Sequence, residues 1–159
     1  MIRRLEQTDW SEWLRMRLAL WPDATPVEHE AEMRDLLADP DTPVFIAVRP
    51  DGRPGGFLEG SIRKYADGCE TGPVGYIEGW YVDEDLRRQG VGGALARAME
   101  AWARERGLTE MASDTWVGNE TSIAAHKRLG YEEAERLVHF VKKLAPLRPS
   151  RAARSGKTP

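Results

Sequence analysis

Tyr81-Val82-Asp83-Glu84-Asp85-Leu86-Arg87-Arg88-Gln89-Gly90-Val91-Gly92-Gly93-Ala94-Leu95 is the stretch on which the fold turns. A β-strand ends, a charged turn follows, and Arg-x-x-Gly-x-Gly opens a helix on which Val91, Leu95, Ala98, Met99 and Trp102 recur at helical spacing. The start of a helix leaves backbone N–H groups unpaired and carries the positive end of the helix dipole. Glycines let an anion approach those groups, and Arg87 and Arg88 add positive charge, so the segment can cradle a pyrophosphate. The plainer alternative is a glycine-rich helix start with solvated arginines. A dinucleotide-binding Rossmann unit is excluded, because its glycines are spaced differently and follow a first parallel strand. Here three apparently antiparallel strands come first.

Upstream, Ile2–Leu5 is a short apolar–polar stretch. Thr8-Asp9 reads as a cap for a helix reaching about Trp21. Thr25-Pro26-Val27-Glu28 predicts a capping box with proline at the first helical position, and a helix to about Ala38. Strands are expected at Pro43–Val48, Gly55–Tyr65 and Val74–Val82, with turns at Pro50-Asp51-Gly52 and Ala66-Asp67-Gly68. Downstream, Gly107 suits a helix C′ position and Leu108–Thr115 a strand. Asn119 caps another helix, stopped by Gly130, and Tyr131–Ala134 and Leu137–Lys143 are expected as closing strands.

The chain has 159 residues, enough for one domain with a sizeable core, and a formal charge of −3 that argues against a uniformly basic nucleic-acid binder. Cys69 is the single cysteine, and His29, His126 and His139 are scattered, so no zinc-type cluster and no metal is expected. The apolar runs are too short to cross a bilayer and the first residues turn polar early, so a cytoplasmic protein without membrane contact is the expectation. Residues 1–145 read as a single domain. Residues 146–159 carry four basic residues and no acid, and read as a flexible basic tail.

The Tyr81–Leu95 segment resembles the acetyl-CoA signature of the GNAT (GCN5-related N-acetyltransferase) superfamily. The order of elements from Ile2 to Lys143 is similar as well. So is Asn119-Glu120-Thr121-Ser122-Ile123-Ala124-Ala125-His126-Lys127-Arg128-Leu129-Gly130-Tyr131, an Asn-led helix ending in Leu-Gly-aromatic. The resemblance implies an α/β (α+β) GNAT fold: a mixed, mostly antiparallel sheet flanked by helices and splayed in the middle for acetyl-CoA. By the same resemblance, Arg87, Arg88, Gln89, Gly90, Val91, Gly92 and Gly93 would grip the pyrophosphate. Tyr81 and Val82 would pair with the pantetheine arm, and Asn119 would bond near the thiol. Many members have a tyrosine, held to protonate the departing thiolate, where this chain has His126. His126 can take that role or simply fill a helix face.

From Ala66 through Leu86 there are six acids and no Lys or Arg. Asp83-Glu84-Asp85 reads as a solvated turn. Glu78 and Asp114 are expected to face the acceptor, where carboxylates suit a polycationic amine. The chain also resembles the aminoglycoside 6′-N-acetyltransferases. The segments that carry this are Leu20-Trp21 with His29 and Met33; Ser61-Ile62-Arg63 with Tyr65; Glu70–Gly79; Ala112-Ser113-Asp114; and Glu135 with Val138 and Phe140. That group also has His at the position of His126. The resemblance implies a drug site lined by Trp21, His29, Tyr65, Glu78, Asp114 and Glu135, with packing roles as the alternative for Trp21 or Tyr65. Attack by the amine in a ternary complex needs no protein nucleophile, and Cys69 is not expected to form one. Asp114 is the favoured proton acceptor, with Glu78 as the alternative. A homodimer is expected, with the aromatic surface around Trp10 and Trp13 able to form the contact. The rivals are a GNAT acting on another polyamine, metabolite or protein N-terminus, and a non-catalytic acyl-CoA-binding module.

Overall fold

The computed structural model describes residues 1–144, so the expected tail and the boundary at 145 lie outside the described residues. Five strands form one sheet in sequence order: β1 (Ile2–Arg4), β2 (Val44–Val48), β3 (Pro54–Arg63), β4 (Val74–Val82) and β5 (Met111–Ser113). The first four are antiparallel neighbours and β5 runs parallel to β4. The parallel step needs a crossover, which α3 (Val91–Glu105) supplies. Helices α1 (Trp10–Leu20) and α2 (Pro26–Ala38) precede β2, and α4 (Glu120–Arg128) follows β5.

The period of two along the strands sorts the core onto two faces. Val44, Ile46 and Phe57 meet Trp13, Met16 and Met33 on the α1–α2 side. Phe45, Ala47, Leu58 and Ile77 meet Leu95, Met99 and Trp102 of α3 on the other. Trp13 is completely buried, and Trp10 packs edge-on against it beneath the Arg34 guanidinium. The expected aromatic contact surface around Trp10 and Trp13 is therefore core, because α1 lies flat on β3 and buries that face.

Local signals set most helix ends. Thr25 Oγ1 accepts from the Glu28 N–H while Glu28 accepts from the Thr25 N–H, completing the box before Pro26. Gly107, at φ +76°, ends α3: its N–H reaches the Arg104 carbonyl and the Leu108 N–H the Ala103 carbonyl, a Schellman pair. Gly130 ends α4 in the same way. The start of α1 differs from expectation. Asp9 makes no cap bond to α1, because Arg3 takes its carboxylate at 2.6 and 2.9 Å and the Glu6 N–H donates to it at 2.9 Å. The chain instead turns through a short 3₁₀ segment, Gln7–Asp9.

The closing strands Tyr131–Ala134 and Leu137–Lys143 do not form among the described residues. A strand needs an edge for its peptide groups and a surface for its apolar side chains. Among the described residues this segment pairs with no strand and its apolar side chains stay uncovered: Phe140 is 93% exposed and Val141 97%. β3 stops at Arg63 and β5 is confined to Met111–Ser113, since Leu108 is drawn into the α3 cap and core.

One ion pair sits inside the α1–α2 face. Arg17 Nη1 bonds both Glu59 oxygens at 2.5 and 2.6 Å, Arg17 Nη2 bonds Glu32, and the Trp13 indole N–H donates to Glu59 at 2.7 Å. Burial pushes the Glu59 carboxyl up, against the pull of Arg17 and Trp13. Removing one partner strands a buried charge. Arg17→Met is expected to lose about 3–5 kcal/mol of stability, and adding Glu59→Gln to recover much of it. Urea unfolding measures both; a double variant no more stable than Arg17→Met alone contradicts this account.

Candidate active site

β4 and β5 are paired only at Gly75–Met111, Tyr76–Ala112 and Ile77–Ser113. β5 then ends, while β4 runs on to Val82, held by β3 along its other edge. The edge of Glu78–Val82 that faces away from β3 therefore borders an open gap. Such an edge can take an extended chain as an added strand. Register also shifts here. Glu59 opposes Gly79 and Gly60 opposes Ile77, so Glu78 is the extra residue of a β-bulge.

At the end of β4 the glycine-rich loop meets α3. Arg88 has φ +60° and Gly90 φ +81°. The first helical bond runs from the Ala94 N–H to the Gly90 carbonyl at 3.0 Å, which leaves the N–H groups of Val91, Gly92 and Gly93 at the open end of the helix. A Cβ at Gly92 would lie 3.0 Å from the Trp80 ring, so glycine lets this first turn sit directly on the indole. Arg87 donates from Nε to the Val82 carbonyl at 2.9 Å, tying loop to strand, and Arg97 lies beside Gly93. Free amides, left-handed backbone and arginines fit a pyrophosphate.

In the acidic turn before this loop Glu84 and Asp85 are solvated as expected, but Asp83 is not. Asp83 is buried, gripped by Arg15 at 3.0 and 2.9 Å and by Arg49 at 2.7 Å, and Arg49 also holds Asp85. Burial would push the Asp83 carboxyl up, but Arg15, Tyr81 and Arg49 hold it below the usual carboxylate range. These acids fix the base of the loop.

The gap opens into a cavity of about 1380 Å³ bordered by Trp21, Tyr65, Glu78, Asp114, Asn119, His126 and Glu135, residues the sequence had singled out. Their states differ. The Glu78 carboxylate is already engaged by Arg63 at 2.8 and 2.5 Å and by Ser61 Oγ. Asp114 accepts from the Tyr76 hydroxyl at 2.7 Å, and burial together with that bond pushes the Tyr76 phenol up. Arg63 also stacks on Tyr76 at 3.4 Å, joining both carboxylates into one cluster. Tyr65 is three-quarters exposed at the rim. Glu135 is exposed on the segment that forms no strand. Asn119 Oδ1 caps α4 by accepting from the Ser122 N–H at 3.1 Å, which leaves its amide NH₂ for other partners.

His29 does not line the cavity. It is 1% exposed, accepts from Arg17 Nε at 3.3 Å and contacts the Trp21 carbonyl at 3.1 Å through Nε2. Its place on α2 faces the sheet, so it supports Trp21 from behind, stacked at 6.3 Å. Arg17 lies 4.8 Å from the Trp21 ring centre, and Gly79 leaves room for the indole edge, since a Cβ there would sit 2.4 Å away.

On α4, His126 contacts the Ser122 carbonyl through Nδ1 at 2.8 Å and Ser113 Oγ through Nε2 at 3.0 Å. It lies between Trp80 and Tyr131, each edge-on. Burial and Glu110 push the Cys69 thiol up, which disfavours a thiolate nucleophile. Among the described residues no group of His, Cys, Asp and Glu is placed to hold a metal, and no helix is long and apolar enough to cross a membrane. Sequence reading had not assigned roles to Arg63, Ser113, Trp80 or Arg97. Arg63 and Ser113 lie in segments that carry the family resemblance, and the i,i+4 spacing of Gly93 and Arg97 is the signal for Arg97.

Residues 7–131 match the acetyltransferase (GNAT) family. The aminoglycoside N(6′)-acetyltransferase type 1 of Klebsiella aerogenes is 48% identical over 147 residues, covering 91% of this chain and 97% of that protein. The enzyme of the same name from Stenotrophomonas maltophilia is 44% identical, covering 94% and 95%. Among solved structures, AAC(6′)-Iy in complex with the bisubstrate analogue CoA-S-monomethyl-acetylneamine superposes with a TM-score of 0.86 at 36% identity, covering 91% of this chain and 98% of that one. The apo aminoglycoside 6′-N-acetyltransferase AAC(6′)-Ig of Acinetobacter haemolyticus gives 0.85 at 38%, covering 91% and 99%. The parted strands, the open helix end on Trp80 and these whole-length likenesses agree on one conclusion: the chain belongs to the acetyltransferase (GNAT) family.

Proposed function

We propose that this enzyme transfers an acetyl group from acetyl-CoA to the 6′-amino group of aminoglycoside antibiotics, by direct attack of the amine in a ternary complex. The observation that carries the reading is the carboxylate cluster of Glu78 and Asp114, with Glu135 nearby, opening beside the unpaired edge of β4. Relatives at 36–48% identity over most of the chain bear the 6′-acetyltransferase name. Acetyl-CoA supplies an activated acyl group as a thioester. Residues Arg87–Gly93 bind its pyrophosphate through the free amides of α3, with Arg87, Arg88 and Gln89 alongside. Tyr81 and Val82 align the pantetheine arm on the β4 edge, and the Asn119 amide donates to it. Backbone N–H groups near Val82 polarise the thioester carbonyl.

On the acceptor side, Trp21 and Tyr65 offer flat faces to amino sugars, and Glu78, Asp114 and Glu135 take ammonium groups. Arg63 already holds Glu78, so an incoming ammonium competes with an internal guanidinium there. Asp114, oriented by Tyr76, receives a proton from the acceptor amine directly or through water. An antibiotic-resistance role in the cytoplasm follows from this substrate class. A homodimer is part of the reading. Leu137, Val138, Phe140, Val141 and Leu144 are exposed together, and β5 is an edge strand. A second copy of the chain would cover one and pair with the other.

Acetylation of kanamycin, tobramycin and amikacin, read by mass spectrometry, tests the function; a mono-acetylated 6′-amine is expected, and turnover only with other amines contradicts it. Glu78→Gln and Asp114→Asn should each lose a charge-assisted bond, about 1.5–3 kcal/mol. That is roughly ten- to hundred-fold in kcat/KM for tobramycin. Acetyl-CoA affinity should hold. Folded variants with wild-type kinetics would remove these carboxylates from the acceptor site.

The donor site has its own test. Gly92→Val should force the first turn of α3 off Trp80 and abolish acetyl-CoA binding in calorimetry. Wild-type affinity would refute the cradle. For assembly, light scattering should give twice the chain mass, and Phe140→Glu should shift the protein to monomer. A monomeric wild type rules the dimer out.

A further inference from the structure

We propose that Ser113 is a further catalytic residue, the single group through which His126 exchanges protons with the acyl-transfer site. The proposal rests on the acyl-transfer reading above. Its basis is the hydrogen-bond inventory of one imidazole ring. His126 Nδ1 lies 2.8 Å from the Ser122 carbonyl oxygen, with Ser122 Oγ at 3.3 Å. A carbonyl oxygen only accepts, so Nδ1 carries a hydrogen. In the neutral ring Nε2 is then an acceptor, and its partner, at 3.0 Å, is Ser113 Oγ. Ser113 must donate. In the imidazolium Nε2 donates instead, and the Ser113 hydrogen has to turn elsewhere. Its other acceptor within the protein is the Ile77 carbonyl at 3.5 Å. The direction of one hydroxyl therefore follows the charge of one histidine.

The surroundings of the ring favour this path. Trp80 and Tyr131 meet the ring edge-on, with centroids at 5.2 and 5.6 Å, and both ring nitrogens are already bonded. His126 thus has no nitrogen free to touch substrate. Ser113 does have the position: it is the last residue of β5 and opposes Ile77 in the final pairing before β4 and β5 part. Its Oγ stands where the gap opens, and His126 stands behind it on α4.

The proton balance closes. Starting from imidazolium, Ser113 Oγ gives its hydrogen to the sulfur as the C–S bond breaks and its electron pair moves onto sulfur. The Nε2 proton moves to Ser113 Oγ. Sulfur leaves as a thiol, and His126 is left neutral with the hydroxyl again directed at Nε2. The acceptor nitrogen arrives as ammonium and departs as amide, so it sheds two protons. One recharges His126 through Ser113, and the other passes to Asp114 and from there to solvent.

Nitrogen-15 spectra of the enzyme without substrate test the arrangement independently of activity. The expected pattern is Nδ1–H with a hydrogen-bonded Nε2, and a shifted Nε2 resonance in Ser113→Ala. Kinetics test the role. Ser113→Ala should lower kcat for tobramycin by about tenfold or more, while the tobramycin KM and the acetyl-CoA Kd stay within about twofold. Ser113→Thr, which keeps the hydroxyl, should restore most of the rate, and the proton inventory should change from curved in the wild type to linear in Ser113→Ala. A resting ring protonated at Nε2 and bare at Nδ1 overturns the proposal. So does a fully active Ser113→Ala, or a folded Ser113→Thr as slow as Ser113→Ala. A wild type inactive on tobramycin but active on another amine overturns the aminoglycoside reading alone, and the same ratios on that amine then judge Ser113.

Discussion

Everything in the site depends on two strands that stay together for three residues and then part. β4 and β5 share Gly75–Ile77 with Met111–Ser113 and no further. Parting exposes one edge of β4 beside the open end of α3, and so joins a row of peptide groups to a set of unpaired amides. It also creates the cavity in which the carboxylates gather. The bulge at Glu78 belongs to the same event, since an extra residue in β4 bends the strand away and turns that side chain into the gap.

Holding such a gap open needs rigidity on either side of it, and charged pairs supply much of it. Asp83 is locked by Arg15 from α1 and by Arg49 from the end of β2, just before the glycine-rich loop. Arg17 and Glu59 brace the opposite face beneath Trp21. In both cases a carboxylate that looks like a surface acid in the sequence is buried against guanidinium groups. Arg suits this work because its planar fork satisfies both carboxylate oxygens at once. The acceptor cluster follows the same chemistry more loosely: Arg63 holds Glu78 at the surface, where a competing cation can reach it.

The chain's apolar surface is unevenly spent. Two cores on the faces of the sheet are filled by α1, α2 and α3, while the residues after Tyr131 carry exposed valines, leucines and Phe140. A pattern that reads as strand in the sequence pairs with no strand among the described residues, although β5 leaves one edge of the sheet open.

Much was written locally. The capping box at Thr25, the C′ glycines 107 and 130, the strands from Val44 to Val82 and the loop at Arg87–Gly93 are all short-range features, decided by backbone sterics and by the period of side chains along an element. The residues bordering the cavity were legible for the same reason, because they sit on or beside those elements and resemble a family pattern. What the sequence could not decide is which polar side chains choose each other across long separations. Asp9 was drawn to Arg3 and away from the helix it should cap. His29 turned inward to Arg17 and Trp21. Asp83 found Arg15 and Arg49 and became internal, while Asp85 pairs with Arg49 at the surface. Ser113 gained its place beside His126 only when α4 packed over the end of β5. Pairing of this kind is set by tertiary geometry, since a hydrogen bond falls away within a few tenths of an ångström and no spacing along the chain encodes it.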